Sequence, residues 1–168
     1  GFWDYSMRAA ADRIIETLRS TKQHVDVFDT LADHWDPRSL PFNLISHAMY
    51  FEQKAIVREQ ILDAVGEREI NITGIGSAEF SRDNIIVNQG REWNDLSPVF
   101  CSATVNLNAT PWPRSCHHRV FQITASRALA VTDWREDALD LYEPGSEVIY
   151  YKCLDDLPDI LDRFTNHP

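Results

Sequence analysis

The sequence lacks long hydrophobic runs and is poor in cysteine. No segment of the 168 residues approaches the roughly 20 consecutive apolar residues that a membrane-spanning helix needs, so no span is expected. The three cysteines, Cys101, Cys116 and Cys153, form an odd set without a C-x-x-C pair. This pattern favours neither a disulfide framework nor a zinc knuckle, and it predicts a location in the reducing cytoplasm.

Positive charge is also scarce. The chain has 16 Lys and Arg residues against 26 Asp and Glu residues, which gives a formal net charge of −10. Such a field repels nucleic acid and anionic lipid, so we expect neither as a partner. A small molecule that carries phosphate is compatible with this net charge, because one Arg and one helix N-terminus can attract a phosphate over a few ångströms.

Catalytic and metal motifs are missing as well. His117 and His118 are adjacent, but no third ligand stands at a regular spacing, so no metal is expected. There is no G-x-S-x-G turn, and the catalytic residues stay unassigned. The length suits one domain, and the start at Gly1 without an initiator Met indicates a fragment of a longer protein.

Residues 1–65 are predicted to be a helical N-terminal segment. A first helix ending near residue 20 is indicated by the spacing of Met7, Ala11, Ile14 and Leu18. The same rhythm predicts a second helix over residues 43–65, which Gly66 would end. Residues 24–41 fit either a short strand or a helix.

From residue 66 the pattern changes to short β-rich runs that alternate with helical segments. The predicted strands are residues 69–76, 84–90, 103–108, 129–133 and 147–151. Helices are predicted at about residues 92–102, 117–127, 134–142 and 157–164. Residues 66–168 are therefore expected to form an α/β domain, a Rossmann-like parallel sheet of about five strands with flanking helices. The run 129–133 is apolar on both faces, which is typical of a central strand.

The carboxyl ends of parallel strands are where ligands bind in such sheets, often at a helix N-terminus. The loop at residues 108–118 follows a strand and precedes a helix, and it contains Arg114 and two histidines. Arg119 lies near the start of the predicted helix and is expected to bind a diphosphate together with Arg114 and His118. The alternative is that these side chains are solvated and Arg119 pairs with Asp133 or Asp137.

Three further residues are candidates for the same pocket. The Gln122 amide is placed to bind ribose hydroxyls, Gly74 would let the backbone approach a ligand, and Asp133 ends the central strand. Trp112 and Trp134 flank this pocket and could stack on a base or sugar. Gln122 also has an ordinary explanation as an exposed helix residue, Gly74 as a turn glycine, and the two tryptophans as core or interface residues.

The run RVFQITASRALAVTDWREDALDLYEPGSEVIYY, residues 119–151, resembles the C-terminal region of GT-B glycosyltransferases. The most similar variety is the group 1 transferases related to spore-maturation glycosyltransferase-like proteins. The matching positions are Arg119, Val120, Phe121, Ala125, Ala128, Thr132, Asp133, Tyr142, Pro144, Gly145 and Glu147. The resemblance covers about residues 69–165 and implies a domain that binds a nucleotide-sugar donor, which is a substrate and not a cofactor.

The sequence departs from the family pattern at three positions. Gln122 stands where the family has a ribose-binding Glu, Arg127 replaces a small Gly, and Arg114 occupies the place of a second Glu. GT-B enzymes carry their acceptor site on an N-terminal domain, and residues 1–65 are too short to supply it. The resemblance therefore implies the donor-binding half alone, with the acceptor-binding domain missing. The alternative is a non-catalytic α/β module with a degenerate nucleotide pocket that serves protein contacts.

Overall fold

Three helices form the N-terminal part of the computed structural model, which describes residues 5–22, 25–74, 82–110 and 115–165. They are α1 (Tyr5–Ser20), α2 (Val27–Ala32) and α3 (Leu40–Val65). α1 and α3 confirm the two helices predicted from apolar spacing, and α2 is a short helix within the ambiguous stretch between them. None of the helices in these ranges combines the length and apolarity that a bilayer span requires.

Capping side chains explain where these helices begin and end. At the start of α2, the Asp26 carboxylate accepts a 3.0 Å hydrogen bond from the Phe28 N–H. At the start of α3, the Ser39 hydroxyl accepts a 3.3 Å bond from the Phe42 N–H. Gly66 ends α3 with a φ of +69°, a backbone conformation that favours glycine.

The apolar faces of α1, α2 and α3 pack against one another. The buried side chains of this core are Ala11, Ile14, Leu18, Val27, Leu31, Phe42, Ile45, Met49 and Ile56. The predicted stripe of α1 supplies three of them, and Met7 packs against their edge. The helical segment therefore has a hydrophobic core of its own.

Five parallel strands follow in the described residues, which confirms the α/β class. They are β1 (Ile70–Gly74), β2 (Ile85–Gln89), β3 (Asn106–Asn108), β4 (Ala130–Asp133) and β5 (Ile149–Tyr151). The expected single sheet of about five strands is wrong, because β1 pairs only with β2 while the other three form a second sheet in the order β3-β4-β5. Short β-rich runs predict strands individually, whereas their pairing depends on tertiary packing that the runs do not encode.

β4 is the central strand of the three-stranded sheet, as predicted. All four of its residues are buried, and Val131 pairs with Leu107 of β3 on one side and Ile149 of β5 on the other. Helices flank the strands at the predicted positions: α4 (Leu96–Ser102), α5 (His118–Ala125), α6 (Glu136–Leu139) and α7 (Leu157–Thr165). α6 is a single turn, shorter than the predicted 134–142.

The helical segment packs directly on the three-stranded sheet. Ile61 and Ala64 of α3 contact a buried cluster that includes Val131 of β4 and Tyr151 of β5. The Leu154 N–H also donates a 3.0 Å hydrogen bond to the carbonyl of Lys22. As a result, the middle of α3 lies next to the carboxyl ends of β3, β4 and β5.

Arg127 has the left-handed backbone conformation, with a φ of +58° just after the end of α5. This is the position after a helix where glycine is usual, which explains the family's Gly there. Arg127 is exposed and stands at the C-terminal end of α5, roughly 12 Å from the other end of an eight-residue helix. Its bulk therefore lies far from Arg119.

Replacing Arg127 with Gly should stabilise the protein. A side chain in the left-handed region costs roughly 1 kcal/mol or more, and the greater freedom of glycine in the unfolded chain offsets part of the gain. We expect the free energy of unfolding, measured by urea denaturation, to rise by about 0.5–1 kcal/mol. Arg127→Ala removes the same charge but keeps the strain, so equal stability of the two variants would contradict this explanation.

Candidate functional site

A cleft of about 640 Å³ lies between the helical segment and the carboxyl ends of the three-stranded sheet. Its sheet side is formed by residues that end or follow the strands, namely Ala109, Thr110, Asp133, Trp134, Arg135, Tyr151 and Lys152. Its helix side includes Asp26, Gln53, Lys54, Val57, Arg58 and Gln60. The cleft is at the sheet edge where the sequence predicted a site, and its second wall comes from residues that the sequence did not assign to it.

Asp133 is buried at the floor of this cleft, where both carboxylate oxygens are engaged. Oδ1 accepts hydrogen bonds from the Thr110 N–H (2.9 Å) and the Thr132 hydroxyl (3.1 Å). Oδ2 forms a salt bridge with the Arg135 guanidinium. Asp133 therefore lines the cleft, and its hydrogen-bond donors come from the protein itself.

Arg135 is 5% exposed and holds two loops together. Its guanidinium donates to the carbonyls of Trp134 (2.7 Å) and Thr110 (3.3 Å). Burial lowers the pKa of Arg135, and the charge of Asp133 acts in the opposite direction. The sequence reasoning missed this residue and offered Arg119 as a partner of Asp133.

A chain of polar side chains connects Asp133 to the start of α5. The Asn108 amide Nδ2 lies 2.9 Å from the Thr132 hydroxyl, and its Oδ1 lies 3.1 Å from Nδ1 of His117. His117 is the residue immediately before α5 and is half-buried. Burial lowers the pKa of His117 to about 4, with smaller contributions from the charges of His118, Arg119 and Lys54. His117 is therefore neutral at pH 7.

Lys54, Arg58 and Arg119 form what we call the basic cluster. Burial lowers the pKa of Lys54, and the neighbouring charges of Arg58 and Arg119 add to that shift. Partial burial and Arg58 lower the pKa of Arg119 in the same way, although the residue as a whole is exposed. None of the three forms a salt bridge within the part of the chain that the structure describes. The sequence reasoning missed Lys54 and Arg58, whose spacing of four residues puts them on one helix face.

The structure brings some of the predicted residues together. His118 is exposed, stacks on Trp93 with ring centroids 5.5 Å apart, and lies 4.1 Å from the His117 ring. Gln122 is half-buried one turn further along α5, and its side chain has no hydrogen-bond partner among the described residues. His118 and Gln122 thus share α5 with Arg119.

Other predicted residues lie elsewhere or outside the described ranges. Gly74 ends β1 and pairs with Gln89 of β2, so it belongs to the separate two-stranded sheet. Arg114 and Trp112 lie outside the described residues, whereas Trp134 lines the cleft. Over the described ranges, no group of three His, Cys, Asp or Glu side chains is arranged to hold a metal.

These features define an α/β protein with parallel sheets, flanking helices and a cleft at the carboxyl ends of the strands. A family model described as glycosyl transferase-like matches residues 54–168. This match covers more than half of the chain, which therefore belongs to the glycosyl transferase-like family. No curated protein and no solved structure matches the chain. The resemblance read from residues 119–151 is thus confirmed at the level of a glycosyltransferase domain.

Breaking the buried ion pair should destabilise the fold strongly. Arg135→Met leaves the Asp133 carboxylate buried without its charged partner, and such losses cost about 3–5 kcal/mol. The double variant Asp133→Asn/Arg135→Met should recover part of that loss, because no buried charge remains. Both free energies of unfolding can be measured by urea denaturation.

The exposed salt bridge between Lys22 and Asp155 provides a matched control. Lys22→Met should cost far less, because both side chains of this pair are largely solvated. If Arg135→Met costs no more than Lys22→Met, the Asp133 pair does not organise the cleft floor.

The low pKa of His117 predicts that acid destabilises the protein. Its pKa is about 4 when folded and 6.5 ordinarily, so between these pH values only the unfolded chain binds the proton. The stabilisation from neutral His117 is complete above about pH 6.5 and is lost as the pH falls toward 4. The difference in unfolding free energy between the wild type and His117→Gln should therefore shrink from pH 7 to pH 4. A difference that is constant over this range would argue against the shift.

Proposed function

We propose that the chain is the donor-binding half of a GT-B-type glycosyltransferase, which transfers a sugar from a nucleoside diphosphate donor to an unknown acceptor. The observation that carries this proposal is the basic cluster beside a cleft at the strand ends, three cations that have no carboxylate partner among the described residues. The family match supports the sugar-transfer part of the proposal. The spore-maturation resemblance of residues 119–151 supports the group 1 variety.

The basic cluster would be stabilised by a bound anion. Like charges held close together destabilise one another, and the lowered pKa values of Lys54 and Arg119 report that repulsion together with burial. In a chain of net charge −10, carboxylates are plentiful, yet none pairs with these cations in the described ranges. A diphosphate would supply the missing negative charge, and the guanidinium groups match phosphate geometry.

Helix geometry adds to this attraction. Arg119 is the second residue of α5, so it stands beside the free N–H groups at the helix N-terminus. These groups and the positive end of the helix dipole favour phosphate. We therefore propose that the diphosphate lies between the start of α5 and the Lys54 face of α3.

The remainder of the donor is assigned to the cleft and to α5. The Gln122 amide would bond ribose hydroxyls, as the family's Glu does, though without a negative charge. Trp134 lines the cleft with the Lys152 ammonium 4.0 Å from its ring centroid, and the Asp26 and Glu136 carboxylates can accept hydroxyl hydrogens of a sugar. The cleft thus combines cations for the diphosphate with acceptors for hydroxyl groups.

The catalytic contribution of this half would be electrostatic. As the sugar leaves, negative charge accumulates on the diphosphate, and preorganised donors lower the barrier where charge develops. The acceptor and any catalytic base would come from an N-terminal domain outside this chain. The proposed compartment is the cytoplasm, which keeps thiols such as Cys101, Cys116 and Cys153 reduced.

One observation favours a second candidate function, a non-catalytic module that contacts other proteins. Leu40, Leu44 and Phe51 on α3 are 63%, 45% and 64% exposed. Large apolar side chains on one helix are typical of contact surfaces. A nucleotide-binding experiment separates the two functions.

Calorimetric titration of the protein with uridine diphosphate or guanosine diphosphate tests the proposed function. Arg58→Ala and Arg119→Ala should each weaken the affinity for the preferred nucleotide about 10- to 100-fold, because a charged hydrogen bond contributes roughly 1.5–3 kcal/mol. Added salt should weaken binding further.

Arg127→Ala is the matched control, since it removes an exposed arginine from the opposite end of α5 and should leave the affinity unchanged. No binding of either nucleotide at millimolar concentration would refute donor binding. Equal loss in all three variants would mean that net charge, not the basic cluster, is responsible.

A further inference from the structure

The polar chain from Asp133 to His117 has one consistent direction of hydrogen bonding. An ionised carboxylate can only accept, so the Thr132 hydroxyl must donate its hydrogen to Asp133 Oδ1, 3.1 Å away. A bond to a charged acceptor is stronger than one to a neutral amide, which favours this direction over donation to Asn108. The Thr132 oxygen therefore presents only lone pairs to its other neighbour.

The orientation of the Asn108 amide follows from this. Its NH₂ group must face the Thr132 oxygen at 2.9 Å, and it also reaches the Thr110 hydroxyl at 3.4 Å. The Asn108 carbonyl oxygen is then the atom that faces His117 Nδ1 at 3.1 Å. A carbonyl cannot donate, so His117 carries its hydrogen on Nδ1.

The other ring nitrogen of His117 is consequently an unprotonated acceptor. No described group bonds to Nε2, although the residue is half-buried and immediately precedes α5. The hydrogen bond from His117 Nδ1 to Asn108 is the one that holds the start of α5 to the end of β3. Nε2 takes no part in it, so its lone pair is available to a ligand. Its charged neighbours Lys54 and Arg119 are purely hydrogen-bond donors and cannot fill that role for a ligand.

We infer that His117 Nε2 is a specificity-determining acceptor, which receives a hydroxyl hydrogen from the pentose or the sugar joined to the diphosphate in the basic cluster. The inference rests on the proposed function for the diphosphate. It adds that Asn108 is a positioning residue, because it fixes the tautomer that His117 presents. The protein should therefore bind a ligand that has hydroxyl groups next to its phosphates more tightly than a ligand that lacks them.

The tautomer is tested directly by two-bond ¹H–¹⁵N correlation NMR of the ¹⁵N-labelled protein at pH 7. We expect Nδ1 to be protonated and Nε2 to have the chemical shift of an unprotonated nitrogen. Asn108→Asp puts a carboxylate beside the Nδ1 hydrogen and should raise the pKa of His117 above about 4. A protonated Nε2 in the neutral wild-type ring would overturn the inference.

Binding of deoxy analogues tests the role of the acceptor. To test the pentose, the affinity for uridine diphosphate is compared with the affinities for its 2′-deoxy and 3′-deoxy forms. To test the sugar, uridine diphosphate glucose is compared with its 2-deoxyglucose form. The corresponding guanosine compounds are used if the protein prefers that base. The wild type should bind one deoxy analogue about 3- to 10-fold more weakly than its parent, since one hydrogen bond is lost. His117→Phe should bind the parent as weakly as the analogue and no longer discriminate between the two.

His117→Gln serves as the conservative variant, because its amide oxygen can still accept and should restore part of the discrimination. If His117→Phe weakens every ligand equally, its role is structural and the inference fails. If the nucleotides bind and Arg119→Ala weakens them but no deoxy analogue is discriminated, the inference fails while the proposed function stands. If no nucleoside diphosphate binds to the wild type, both fail.

Discussion

The buried carboxylate of Asp133 is the constraint on which the sheet edge depends. A buried ion costs several kcal/mol unless partners compensate it, and its partners here come from three segments. They are the Thr110 N–H after β3, the Thr132 hydroxyl within β4 and the Arg135 guanidinium after β4. Because Arg135 also donates to the Thr110 carbonyl, the two loops that form the cleft floor are tied to each other as well as to the strand.

The same carboxylate influences a residue it does not touch. Asp133 accepts the Thr132 hydrogen, and this bond sets the orientation of the Asn108 amide. The amide oxygen of Asn108 then holds the His117 ring at the start of α5. Arg119 follows His117 by two residues and belongs to the basic cluster. The hydrogen bonds that compensate the buried charge of Asp133 therefore also position the N-terminus of α5. Structural compensation and candidate chemistry therefore share one set of hydrogen bonds.

Local patterns predicted most of the elements, and tertiary contacts decided what the patterns could not. The apolar spacing of α1, the glycine that ends α3 and the short β-rich run that contains β4 are properties of a few neighbouring residues, so the sequence showed them. The separate pairing of β1 with β2 was not predictable in this way. The partner of Asp133 had a readable signal, because residues two apart on an extended chain face the same side, and Arg135 has extended angles (φ −139°, ψ 139°).

The orientation of α3 is the step that the sequence could not supply. Lys54 and Arg58 share one face by spacing, but tertiary contacts turn that face toward the strand ends. Besides the apolar packing of α3, Gln53 donates to the Val25 carbonyl (2.7 Å) and Gln60 to the Leu18 carbonyl (3.0 Å). Both bonds hold α3 to its neighbours on either side of the two cations. A domain boundary after residue 65 would separate Lys54 and Arg58 from Arg119, whereas the family match begins at residue 54, within α3. The last part of that helix therefore falls within the family match, together with the sheet that it packs on.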